Sequence, residues 1–295
     1  MKLGYACINM NLSYPSKFNR KGENRVTTNR SMIKKTFQEK GLDYASELII
    51  QNVVDLNEII DWNEQNNIKF FRMSSDVFPW ASEYYQDWDS VPHIDLIKIW
   101  LENAGLKAEE YGQRITSHPG PFNVLVSPNE NVVQNTITDL TIHGQIFDMM
   151  GLSRTPYNKL NIHCNGVYGD KESALDRFCK NFERLPESVQ TRLTVENDDK
   201  ASMYSVKELY DGIYKRINIP IVFDYHHHRF CDGGLSEQEA LELAMSTWGD
   251  ITPVVHYSES RSKEQLDESI RPQAHSDLII ELPNTYGNKV DIIVE

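Results

Sequence analysis

The 295-residue chain carries 43 acidic against 30 basic residues, a formal charge of −13, which argues against indiscriminate binding to nucleic acid while leaving room for a local basic groove. Its 40% hydrophobic content can bury one large core, and no run approaches the roughly 20 apolar residues of a membrane helix. Cys7, Cys164, Cys179 and Cys231 show no C-x-x-C spacing and no amino-terminal segment resembles a signal peptide, so the expectation is a cytoplasmic, unsecreted protein without a thiolate zinc site or disulfide framework.

Short apolar runs alternate with longer amphipathic stretches, and no repeat, linker or composition shift divides the chain. In chain order the strand candidates are KLGYACI (2–8), IKFFRMS (68–74), RITSH (114–118), KLNIHC (159–164), RLTVEN (192–197), IPIVFDY (219–225), TPVVHY (252–257) and KVDIIVE (289–295). Helical patterns lie between them at 52–66, at 94–105 with Gly105 as its terminal residue, at 131–151 and at 236–248. Ser236 followed by Glu239 marks the start of the last with a capping-box pattern. Eight strands alternating with helices predict a (β/α)8 TIM barrel, an α/β fold occupying 1–295 as a single domain, with its active site at the carboxyl-terminal strand ends.

The ligand-type residues fall where that rule puts a site. His118 ends the third run, His163 the fourth, Glu196 the fifth, Asp224 with His227 the sixth, His256 the seventh and Glu295 the eighth. Any one of these histidines read alone is an ordinary hydrogen-bonded core residue, but six successive strands ending in His, Asp or Glu predict a metal cluster. Imidazoles and carboxylates without thiolates suit Mn, Zn, Fe or Mg, and Glu196, in the middle of the order, is the candidate bridge between ions. One to three divalent ions there would activate water and neutralise a phosphodiester. Of the three histidines in DYHHH, neighbours in an extended chain point to opposite sides, and His227 is the favoured ligand.

These residues resemble the UV damage endonuclease family, metal-dependent barrels related to endonuclease IV. The likeness runs nearly end to end, through LGYACIN (3–9), NR (29–30), the 52–82 block ending in MSSDVFPWAS, SHPGPFNVL (117–125), HCNGVYGDK (163–171), ENDD (196–199), DYHHH (224–228), VHYSES (255–260), RPQAHSD (271–277) and DIIVE (291–295). It implies incision of double-stranded DNA immediately 5′ to cyclobutane dimers and 6-4 photoproducts, leaving a 3′-hydroxyl. It also implies up to three ions, Mn²⁺ usually, with Mg²⁺, Co²⁺ or Zn²⁺ as alternatives, in a monomer that works at the nucleoid. By the same resemblance His118 and His163 hold one ion with Glu196 bridging, Glu196, Asp224, His256 and Glu295 surround a second, and His227 with His275 holds a third. Tyr5 and Asn9 match positions at the substrate face, and Pro121 and Phe122 match a pair that probes the duplex opposite the lesion.

The chain departs from the family pattern in three places. Pro121 stands where Gln is common and cannot hydrogen-bond a base, whereas Phe122 stands where Tyr occurs and can stack. Val254 occupies a place where many members carry Lys, and the sequence stops at Glu295 where many continue. Asp76 is read as a site-rim or a turn residue. Trp80 and Tyr84 are the candidates for a substrate wall, while Trp62, Trp100 and Trp248 fall in helical patterns and read as packing. Asn9 and Asn197 either orient ligands or satisfy strand-end backbone. Arg25, Arg30, Lys34 and Lys35 are either phosphate contacts or a solvated face. An abasic-site endonuclease of the endonuclease IV type, a metal-dependent sugar isomerase or epimerase, and a DNA-binding protein with weakened catalysis are the competing functions.

Overall fold

In the computed structural model, which describes residues 1–13 and 25–295, all eight apolar runs form parallel strands. They are β1 (Leu3–Ala6), β2 (Phe70–Met73), β3 (Arg114–Ser117), β4 (Leu160–Ile162), β5 (Leu193–Glu196), β6 (Ile221–Asp224), β7 (Val254–Tyr257) and β8 (Asp291–Val294). Each pairs with the next, and β8 pairs with β1 to close the barrel. The strands are shorter than the runs that encode them, because tilted strands in a closed barrel overlap only at their middles.

Alternation along each strand divides its side chains between barrel interior and helix layer. Phe71, Ile115, Leu160, Ile162, Val195 and Phe223 face the helices within the main core. Phe70, Val222, Val254 and Ile293 form a second, smaller cluster with Trp248. Beside it the fully buried Arg114 pairs with Asp291 at 3.1 Å and stands over the Phe70 and Trp248 rings. Nearer the carboxyl-terminal ends, inward positions turn polar: Lys159 and Asn161 before His163, Thr194 before Glu196, Asp224 and His256. The interior is therefore closed by apolar side chains at one level and lined by charge at the next.

The helices correct several boundaries. The helix expected at 52–66 is the second part of Lys34–Gln65, whose path bends at Gly41, φ 65°. The Ile94–Glu110 helix runs through Gly105 instead of ending there. A Cβ on Gly105 would lie 1.7 Å from the Met150 carbonyl oxygen, so this glycine permits two helices to touch and does not serve as a cap. The Glu130–Met149 helix starts at Asn129, whose side chain accepts from Asn131 N. Both hydrogen bonds of the capping box are made between Ser236 and Glu239, ahead of the Glu237–Met245 helix.

Tyr84 is core and not a substrate wall: it is 5% exposed, its hydroxyl donates to the Pro79 carbonyl, and its ring meets Trp88 edge to face. Trp80 stacks on Phe37 and donates its indole N–H to the Met32 carbonyl. Trp248 is buried as expected. Arg30 is neither a solvated residue nor aimed at solvent anions, since it pairs with Asp55 at 2.6 Å and donates to the Thr27 and Arg25 carbonyls. Lys35 lies on an exposed face 3.8 Å from Glu39. Among the described residues no helix is long and apolar enough to cross a membrane.

Candidate metal centre

Glu196 ends β5 with no exposed surface, and four imidazoles surround its two carboxylate oxygens. Oε2 lies 3.0 Å from His256 Nδ1 and 3.3 Å from His118 Nε2, while Oε1 lies 3.4 Å from His227 Nδ1 and 3.7 Å from His163 Nε2. His256 Nδ1 is also 2.7 Å from Glu295 Oε1. Three groups with mutually close donor atoms result: His118, His163 and Glu196; Glu196, His256 and Glu295; and Glu196, Asp224 and His227. Glu196 is common to all three. Asp224 therefore groups with Glu196 and with His227, which lies 4.0 Å from it, and not with His256 and Glu295.

Local structure explains how each donor arrives. His118 and His163 directly follow the β3 and β4 ends, and their ring centroids are 5.3 Å apart. The DYHHH segment is a short helix, Tyr225–His228, capped by Asp224, whose Oδ1 accepts from His227 N at 2.7 Å. His227 reaches the centre by that helical turn, not by the alternation of an extended chain. His226 instead faces Phe230 and His275, and His228 packs on Phe223. His275 stands beside the centre, its ring 5.4 Å from that of His227 and its Nδ1 2.9 Å from Ser258 Oγ.

The charges are matched with little exposure to water: Glu196, Asp224 and His256 are fully buried, and His118, His163 and Glu295 are partly so. Burial opposes ionisation of Glu196, but His256, His163 and His118 outweigh it and hold the carboxyl well below its usual range. Burial likewise opposes charge on His163, yet Glu196 and Asp198 lift its imidazole to about 10. His227 is raised by Asp224 and Glu196 against burial, whereas burial lowers His118 to about 4 and raises the Asp224 carboxyl. Glu196 Oε1 and Asp224 Oδ2 are buried atoms without hydrogen-bond donors. Uncompensated carboxylate oxygens facing imidazole nitrogens are a donor set that a divalent cation satisfies.

Residues that sequence reasoning did not single out complete the surroundings. Asn161 donates to Glu196 and accepts from Thr194 Oγ1 at 2.7 Å, which fixes the central carboxylate. Arg72 pairs with Glu295 and holds that carboxyl well below its usual range against the opposing effect of burial. Lys159, fully buried, places Nζ 3.1 Å from His256 Nε2, and burial lowers its ammonium to about 7. A lysine thus reaches His256 from the position just before β4, while Val254 lies in the apolar level of the barrel. Lys159, Asn161 and His163 share one strand face, a period of two that marks the first two as interior polar residues.

A profile described as UV-endonuclease UvdE matches residues 1–295. The chain belongs to this family. A UV-damage endonuclease of Schizosaccharomyces pombe is 36% identical over 304 residues, covering 100% of this chain and 48% of that protein. A UV DNA damage endonuclease of Bacillus cereus is 31% identical over 274 residues, covering 89% of this chain and 81% of that one. The chain thus spans about half the length of the Schizosaccharomyces pombe relative. The crystal structure of SacUVDE superposes with a TM-score of 0.82 at 30% identity, covering 100% of this chain and 92% of that one. D-psicose 3-epimerase of Clostridium cellulolyticum, at 13% identity and a TM-score of 0.52, shares the fold alone.

The residues expected at a substrate face take varied positions. Phe122 is 73% exposed and Pro121 precedes it on the exposed loop after β3. Tyr5 packs 5.2 Å from the Phe71 ring; its hydroxyl donates to Asn63 and accepts from Asn9 Nδ2, each at 2.8 Å. Asn9 is buried and its Oδ1 accepts from Asn11 N and Leu12 N, so it serves local backbone as well as Tyr5. Asn197 exchanges two hydrogen bonds with the Asp224 backbone and fixes the β5–β6 ends. Asp76 is exposed, in a turn where its N–H donates to Ser74 Oγ.

Proposed function

We propose that this UvdE-family chain is a DNA repair endonuclease that hydrolyses double-stranded DNA immediately 5′ to UV photoproducts, both cyclobutane pyrimidine dimers and 6-4 photoproducts. The observation that carries this reading is one buried carboxylate, Glu196, shared by three ligand groups at the barrel mouth. The names of the relatives supply the substrate class. In the reaction water adds to phosphorus, the P–O3′ bond breaks and the departing oxygen takes a proton, leaving a 3′-hydroxyl and a 5′-phosphate.

His118, His163 and Glu196 would hold one ion, Glu196, His256 and Glu295 a second, and Asp224 with His227 a third, with His275 adjacent. Nitrogen and oxygen donors without thiolate suit Mn²⁺ and accommodate Mg²⁺, Co²⁺ or Zn²⁺. Ions bound there supply charge neutralisation for the phosphodiester and lower the pKa of a water nucleophile. The protein holds Glu196 through Asn161, Glu295 through Arg72 and His256 through Lys159, so the ligands are oriented before DNA arrives. Phe122, exposed on the loop four residues after His118, would stack where bases are displaced. A photoproduct already distorts the helix, so flipping it costs less than flipping normal bases, and selectivity follows from that difference.

The test is incision of end-labelled duplexes by the monomer in Mn²⁺. Cutting directly 5′ to a single dimer, loss of cutting in chelator, weaker cutting at an abasic site and little at undamaged DNA are expected. Efficient abasic-site cutting with none at dimers would place the chain's activity with endonuclease IV instead.

A further inference from the structure

Two exposed aromatic rings stand on adjacent loops at the barrel mouth, each built in the same way. Phe122 follows His118 by four residues and lies over Gly120, where a Cβ would come within 2.6 Å of the ring. Tyr168 follows His163 by five residues and lies over Gly166, where a Cβ would come within 2.7 Å of the ring. In both loops the ring comes two residues after a glycine whose bare Cα gives it a seat. The two preceding histidines belong to the same ligand group.

Several contacts hold the loop that carries Tyr168. Its backbone takes the left-handed conformation, φ 49°, which a bulky residue adopts only when its surroundings require it. The Tyr204 hydroxyl donates to the Gly166 carbonyl at 3.0 Å, and Asp170 N closes the turn on the Val167 carbonyl at 3.1 Å. The Arg177 guanidinium stands 5.7 Å from the ring centroid, while its Nε donates to the Val126 carbonyl of the neighbouring loop at 2.7 Å. Asn165 Nδ2 donates to the Asn123 carbonyl and ties the loops together again. The ring nonetheless remains 51% exposed. An aromatic side chain fixed on its seat and backed by a cation, but left open to solvent, presents a rigid π surface at low entropic cost.

We infer that Tyr168 is a second base-stacking residue of the DNA site, pairing with Phe122 so that displaced bases find an aromatic surface on each loop flanking the His118–His163 pair. This rests on the proposed action on DNA and adds a specificity-determining residue to it. Base stacking on an aromatic ring requires a π face and tolerates any base, so the ring and not its hydroxyl carries the effect.

The test reads binding apart from cutting: fluorescence anisotropy of a duplex with one photodimer, measured with the full chain in Ca²⁺, beside KM for incision in Mn²⁺. Tyr168→Ala should raise Kd and KM about tenfold, and Tyr168→Phe or Tyr168→Trp should restore them to within about twofold. Tyr168→Leu, which still covers Gly166, should not. A 2-aminopurine beside the lesion should lose fluorescence on binding and regain part of it in Tyr168→Ala. Binding by Tyr168→Ala equal to that of the unaltered chain, or full rescue by leucine, would overturn the inference. If the unaltered chain binds the lesion duplex without cutting it, the incision reading fails while the same variants still decide the role of Tyr168. Failure of the unaltered chain to bind DNA overturns both.

Discussion

Glu196 is ionised although wholly enclosed, because imidazoles approach both of its oxygens. Glu196→Gln preserves shape and removes the charge, so incision should fall to background while the far-ultraviolet circular dichroism stays unchanged; residual activity in Mn²⁺ would refute the shared-ligand role. The same electrostatics predicts a proton signature. With its imidazole raised to about 10, His163 holds a proton at neutral pH before metal binds, and Asp224 and Glu196 shift His227 in the same direction against burial. The pairing of His163 with Glu196 and Asp198 stabilises the metal-free fold fully below the usual imidazole range, and that contribution is lost as pH rises through about 10. Metal must displace the His163 proton, so affinity should rise with pH, and calorimetry in buffers of different ionisation enthalpy should register at least one proton released. Identical heats in both buffers would contradict this. At this scale the ligand types were legible because each stands at a strand end, whereas Arg72 and Asp198 were not, since an Arg in an apolar run or an Asp two residues past a strand-end Glu has many ordinary roles.

At the level of the element, β4 shows what a strand pattern can and cannot reveal. Its alternation already aligns Lys159 and Asn161 with His163, but only the closed barrel brings Lys159 to His256 across the interior. Lys159→Met keeps the volume and removes the contact; affinity for the ion at Glu196, His256 and Glu295 should fall about tenfold by Mn²⁺ electron paramagnetic resonance titration, as for other supporting partners of metal ligands. Unchanged affinity would mean that Lys159 only fills space. β8 delivers Glu295 just past its last paired residue. Deletion of Glu295 should weaken that same ion and cut activity severely, and full activity without it would remove Glu295 from the ligand set. The strands were readable from apolar runs alone, but Gly105 was not: a glycine near a pattern's end signals a cap, and only the close approach of Met150 shows its packing role. The DYHHH turn was hidden for a similar reason, since four residues after a strand carry too little pattern to distinguish helix from extension.

For the whole molecule, a formal charge of −13 and the proposed DNA substrate conflict only until the distribution of charge is considered. Buried carboxylates at the barrel mouth contribute to that charge, and bound cations would reverse the local potential where phosphate must approach. The apolar level around Phe70, Val222, Val254 and Ile293 closes the barrel independently of the centre. Chelation should therefore lower the melting temperature without unfolding the protein, and saturating Mn²⁺ should raise it; unfolding on chelation at room temperature would show that the ions hold the barrel together. The most direct test of the shared Glu196 centre is an anomalous difference map at the manganese edge from Mn²⁺-soaked crystals. The arrangement predicts peaks clustered around Glu196, one between His118 and His163 and one between His256 and Glu295, both lost in Glu196→Gln. Peaks confined to other parts of the molecule, or peaks at the centre that persist unchanged in that variant, would contradict it.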